Sequence, residues 1–281
     1  MGFFSDMAVN PLLLSSLIGG LLAAVACGAM GPYVVTRRMV SLAGAIAHIV
    51  VGGLGAVIFL RHQLQPHLDW LKPLHGAVIA ALLAAVLIGL VERHARERLD
   101  TLLGSLWAIG MAAGLMLIKY TPGYQEDLLS YLFGNLAVVD WNDVLLVLAL
   151  DVVILVTLLL CHKRFMALCL DEEFVGLQGV GVAVTNILLL ALVALAVVAL
   201  TRIVGLILVL ALLALPAATA AHFARRMGSL MLLSILLCAG LVCMPRVAVY
   251  GTRIAPESAI VLAAGGVYLL AALWRRAGIR R

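Results

Sequence analysis

Nine apolar runs follow one another along the 281 residues, at roughly 10–35, 39–60, 75–91, 101–119, 142–161, 180–200, 203–223, 229–244 and 257–274, with short polar connections between them. Each is close to the ~20 residues that a helix needs to cross a bilayer. Inside hydrocarbon every backbone N–H and C=O must find its partner within the protein, so only helices or a closed barrel can span it. A barrel strand alternates apolar with polar residues, and these runs are continuous, so the sequence predicts an all-α polytopic membrane protein. Hydrophobic residues make up 65% of the chain, against roughly 45–50% in a soluble domain, which excludes a water-soluble enzyme. The longest polar connections, about 15–20 residues, are too short to fold alone, so residues 1–281 are expected to form one transmembrane domain.

Charge sets the expected orientation. Lys and Arg collect on alternate connections: Arg37, Arg38, Arg93, Arg96, Arg98, Lys163, Arg164, Arg225, Arg226, Arg275, Arg276, Arg280 and Arg281 make 13 of the 19 on one side. Arg61, Lys72, Lys119, Arg202, Arg246 and Arg253 fall on the other. The positive-inside rule then puts the N-terminus outside and the C-terminus in the cytoplasm, after an odd number of crossings. Membrane orientation accounts for the net charge of +5 better than nucleic acid does. Only Thr201-Arg202 interrupts residues 180–223; reading them as one broken span would leave eight crossings, and nine is the reading adopted. The first apolar run has no basic segment ahead of it and reads as a retained span, not a cleaved signal. Cys27, Cys161, Cys169, Cys238 and Cys243 form no CxxC pair and read as small apolar residues.

Catalytic signatures are missing: there is no GxxxxGK[ST], HExxH, GxSxG or GxGD. Energy from ATP would therefore have to come through a separate subunit, the alternative being an ion gradient. Two ionisable residues lie deep in apolar runs, where such groups are costly unless they face a cavity or a partner. His48 sits near the centre of the second run, and neutral imidazole suits divalent transition metals. Asp151 lies mid-way along the fifth. Each is a candidate pathway residue, with a hydrogen-bonded packing role as the competing reading. His62, His67, Asp69 and His75 share an outer loop, but their spacing matches no closed metal site. Asn135, Tyr131 and Asn186 are expected to hydrogen-bond between helices, and Gly19-Gly20, Gly52-Gly53-x-Gly55 and Gly265-Gly266 to let helices approach closely.

Several polar or glycine-bearing stretches recur in an ordered set. They are Arg37-Arg38-Met39 with His48; Asp100-Thr101-Leu102-Leu103-Gly104; and Asp127-Leu128-Leu129-Ser130-Tyr131-Leu132-Phe133-Gly134. After these come Asp171-Glu172-Glu173-Phe174-Val175-Gly176 through Gly179-Val180; Val204-Gly205 through Pro216-Ala217-Ala218-Thr219-Ala220; and Pro256-Glu257-Ser258-Ala259-Ile260-Val261-Leu262. In this order and spacing, from Arg37 to the C-terminus, the chain resembles the metal-ion permease family of ABC importers. That family usually carries an Asp and a Ser where this chain has Gly44 and Ala47.

The resemblance implies an importer permease fold in a bacterial cytoplasmic membrane, paired with a second permease protomer, here expected to be a second copy. It implies ATP-hydrolysing cytoplasmic subunits, which use the ATP, and an extracytoplasmic protein that delivers zinc, manganese or iron, with no cofactor resident in this chain. His48 would contact the metal transiently. Leu170, Asp171, Glu172, Glu173, Phe174, Gly176 and Gly179 would form the coupling helix that receives motion from the ATPase, where the residues alone favour an ordinary charged connector. A self-sufficient ion-coupled transporter and a non-transporting membrane scaffold are the rival readings.

Overall fold

A computed structural model describes residues 6, 10–64, 71–94, 99–121, 139, 141–177, 181–252 and 254–279, without the side chains of residues 93, 94, 99, 173, 174, 177, 202, 278 and 279. The described residues form ten helices: α1 Pro11–Thr36, α2 Val40–Gln63, α3 Pro73–His94, α4 Leu99–Lys119, α5 Trp141–Leu170, α6 Glu172–Leu177, α7 Val182–Val204, α8 Leu206–Ala220, α9 Met227–Ala248 and α10 Pro256–Ile279. Every apolar run of the sequence becomes one helix. Eight are long and apolar enough to cross a membrane, and α8, at 15 residues, is shorter.

Two of the boundaries that differ from those expected have a clear local cause. The break in residues 180–223 is at Gly205, not at Thr201-Arg202: Gly205 takes φ 82°, ψ 162°, a conformation open to glycine alone without penalty. Thr201 stays within the helix, with its hydroxyl donating back to the carbonyl of Val197 at 2.6 Å. The fifth run, expected to end near residue 161, continues as helix to Leu170. No Gly or Pro interrupts it, and Phe165 and Leu168 pack into the core.

Contacts between helices give the direction of each. Asn186 of α7 meets Arg37 at the end of α1, and Ile203 meets Gly19 near its start, so α7 runs against α1. The chain then turns back at Gly205: a Cβ on Gly31 would lie against Leu213 and Ala217, so α8 runs with α1 as a short return passage. Ile235 of α9 stands at Gly28, and Arg246 donates to Ser16, so α9 runs the other way again. Arg275 of α10 donates to His222 just beyond α8, at the Arg37 end. The chain therefore starts at one end of the bundle, where Tyr250 donates to Asp6, and finishes at the other.

Between apolar helices in lipid there is little hydrophobic drive, so association rests on close contact through small residues. Helix α1 lies at the centre, with Ala23, Ala24, Ala26, Cys27, Ala29 and Met30 shut off from the surface. Helix α2 is clasped between α3 and α4: Gly53 faces Gly76 and Ala80, while Gly52 and Gly55 face Gly110 and Gly114. Gly19 and the Gly52–Gly55 set thus mark close approaches as expected. Gly265 and Gly266 do not, since a Cβ on either meets nothing within 4 Å. Helices α4, α9 and α10 keep much of their apolar surface outside the bundle, as Trp107, Ile109, Leu262 and Trp274 show.

Candidate functional site

His48 lies on α2 one turn before Gly52, at 8% exposure. Its Nδ1 is buried with no hydrogen-bond partner among the described residues. The imidazole stacks on the indole of Trp107, centroids 4.6 Å apart and planes inclined by 16°. The glycine crossing makes this pairing: Gly110 and Gly114 bring the α4 backbone against α2, and Trp107, three residues before Gly110, then lies over the His48 ring. Trp107 is itself 51% exposed, so His48 sits beneath one aromatic side chain at the flank of the bundle. Sequence reasoning missed Trp107, although Gly110-x-x-x-Gly114 was the available signal for a close crossing beside it. A Cβ on Gly44, one turn before His48, would meet only Leu210 at 4.0 Å, so packing does not require glycine there.

Asp151 is 2% exposed on α5, and neither carboxylate oxygen has a hydrogen-bond partner among the described residues. Its helix α5 packs against α1 and α7, whereas Trp107 lies on α4, which packs chiefly against α2. The helices that carry His48 and Asp151, α2 and α5, make little direct contact with each other. Among the described residues no group of three or more His, Cys, Asp and Glu is arranged to hold a metal ion.

The 170–179 segment begins with Leu170, 79% exposed at the end of α5. Asp171 interrupts the helix while its N–H still reaches the carbonyl of Ala167 at 3.0 Å. Helix α6 follows, containing Glu172, Glu173, Phe174 and Gly176; Gly179 lies outside the described residues, as does the Asp127–Gly134 stretch. Val175 is buried and seats α6 on the bundle.

Above that seat is a polar cluster that the sequence did not reveal as a unit. Arg37 donates to the Leu168 carbonyl at 2.9 Å, to Glu172 Oε2 at 3.3 Å and to Asn186 Oδ1 at 2.9 Å. The Asn186 amide then donates to Glu92 Oε2 at 2.8 Å. Asn186 does bond between helices as expected, whereas Arg37 was expected only to orient the chain and to belong to the Arg37-Arg38-Met39 motif, and nothing in the sequence singled out Glu92. Nearby, the Tyr33 hydroxyl and His162 Nδ1 are 2.6 Å apart, tying α1 to the lower part of α5.

The sequence model described as the ABC 3 transport family matches residues 10–275. The chain belongs to that family. It is 35% identical over 268 residues, 95% of this chain and 90% of the relative, to a probable metal transport system membrane protein of Chlamydia trachomatis. It is 29% identical over 268 residues, 95% and 92% of the two chains, to the manganese import system permease protein ScaB of Streptococcus parasanguinis. Among solved structures it resembles PsaBC from Streptococcus pneumoniae in complex with Fab, with a TM-score of 0.84, 28% identity and coverage of 96% of this chain and 94% of that one. This ABC 3 transport family chain is thus a multi-pass, all-helical membrane protein with the fold of an ABC importer permease, of a family whose members serve metal transport.

Proposed function

We propose that this chain is the membrane permease of an ATP-driven importer for a divalent transition metal, with manganese the first cargo to test, zinc the second and iron the third. One observation carries the pathway part of the reading: His48, mid-way along a span, keeps a buried ring nitrogen with no hydrogen-bond partner among the described residues and is covered by one half-exposed indole. An unpaired imidazole at that depth is costly unless it serves a ligand or a route. Neutral imidazole is a good ligand for these metals, and a single ligand per chain suits an ion that must also leave. Asp151, on α5 where that helix packs against α1 and α7, is proposed as a second polar station.

The excess of Lys and Arg at the Arg37 end argues for that end in the cytoplasm, with the N-terminus outside and the C-terminus inside. On this reading Leu170 to Gly179 meets an ATP-hydrolysing subunit, an extracytoplasmic metal-binding protein docks at the Ser15 end, and a second copy of the chain completes the translocation path beside His48. The metal is cargo, and the chain holds no cofactor of its own. Manganese takes precedence because relatives bear that name over nearly the whole chain. An ion-coupled transporter finds less support, since His48 and Asp151 stand on helices that make little direct contact with each other.

His48→Ala tests the pathway. At equal protein level in the membrane, uptake of radioactive manganese is expected to fall at least tenfold; normal uptake would remove His48 from the route.

A further inference from the structure

We infer that Arg37 is the positioning residue that carries movement of the coupling segment into the bundle, acting through Asn186 on Glu92. This rests on the reading that residues 170–179 meet the ATPase. Helix α6 has six residues, and besides its backbone link to α5 and the buried Val175, side chains tie it to the spans. Glu172, its first residue, is held by Arg37, and the same guanidinium reaches the last turn of α5 through the Leu168 carbonyl and α7 through Asn186. Only a planar fork with several fixed donors serves acceptors on three elements at once; a lysine ammonium is a single point charge on a flexible stem.

Asn186 makes the connection directional. Its carbonyl faces the cation and its amide faces the Glu92 carboxylate of α3, and the flipped amide would oppose like partners on both sides. One side chain, only 6% exposed, thus joins a positive group on α1 to a negative group on α3. Displacing Glu172 must either drag Arg37, and with it α3 and α7, or break the cluster.

The backbone keeps Arg37 in position. Helix α1 ends in a Schellman arrangement, with Met39 N–H on the Val34 carbonyl at 2.8 Å and Arg38 N–H on that of Val35 at 3.1 Å. That motif favours glycine in the left-handed position, yet Arg38 occupies it at φ 56°. The strained residue lies next to the hub, where a fixed turn aims the guanidinium.

The test uses the full complex with its ATPase, reconstituted in liposomes, and compares Arg37→Ala and Asn186→Leu with the parent. A Gly176→Cys crosslink to the ATPase in each background reports docking separately from transmission. The expected result is an intact crosslink, ATP hydrolysis retained, and at least a tenfold rise in ATP consumed per ion moved. A crosslink that fails in the parent itself overturns the docking reading of residues 170–179, not the cluster geometry. Uptake that falls only in step with ATP hydrolysis, or not at all, overturns the role of Arg37. If neither variant assembles with the ATPase, the cluster holds the fold together and the inference fails equally.

Discussion

Gly114 is where the packing of α4 against α2 is least forgiving, and Gly114→Ala measures it. A methyl there would sit 2.5 Å from the carbonyl oxygen of Val51, 2.6 Å from its carbonyl carbon and 2.8 Å from the nitrogen of Gly52, all backbone atoms that no rotamer change can move. Ordinary contact begins near 3.4 Å, so α4 must retreat from α2 by roughly 1 Å, a gap that already forfeits a quarter to a half of each contact's attraction. Overpacking of this kind costs about 1–3 kcal/mol, and the better helix propensity of alanine returns at most about 1 kcal/mol. Gly104, ten residues earlier on the same helix, meets nothing within 4 Å, so Gly104→Ala carries only the propensity gain. The two variants should therefore fall on opposite sides of the parent, about 2 kcal/mol apart. Thermal unfolding in detergent, followed by circular dichroism, reads the difference. If Gly114→Ala proved as stable as Gly104→Ala, the backbone contact that brings Trp107 onto His48 would be refuted.

Two further substitutions separate stability from transport. Arg38→Gly relieves the left-handed backbone at φ 56° and should stabilise the detergent-solubilised protein by up to about 1 kcal/mol in the same unfolding assay; a lower midpoint would contradict the strain. Asp151→Asn removes a carboxylate that has no described partner to lose, so stability should hold or rise by about 1 kcal/mol while metal uptake drops. Unchanged uptake would return Asp151 to a packing role.

The sequence made the helices legible because a bilayer leaves few choices. Runs near the length of a span had to become helices, and all nine did, with the unusual 180–223 stretch divided in two. Its breakpoint was missed because Thr201-Arg202 is the polar interruption, whereas the chain turns where glycine permits φ 82°. The end of α5 was missed for the opposite reason: Lys163 and Arg164 looked like the edge of the membrane, but nothing in residues 162–170 breaks a helix. Depth identified His48 and Asp151 as exceptional, and both are buried with polar atoms that have no hydrogen-bond partner among the described residues. Their neighbours were not legible, because which face of α4 meets α2 depends on the Gly52–Gly110 and Gly55–Gly114 crossing. The Arg37 cluster joins residues 37, 92, 172 and 186, separations that no local pattern connects.

The most direct measurement is uptake of manganese, zinc and iron, in parallel, by liposomes carrying this chain with its ATPase and binding protein, with and without ATP. Glu172→Arg combined with Glu173→Arg serves as the uncoupled control. The expected result is ATP-dependent accumulation of manganese above the other two metals, lost in the control. Accumulation without ATP would contradict the importer reading and favour an ion-coupled transporter, while an assembled, ATP-hydrolysing complex that moves none of the three metals would contradict the cargo.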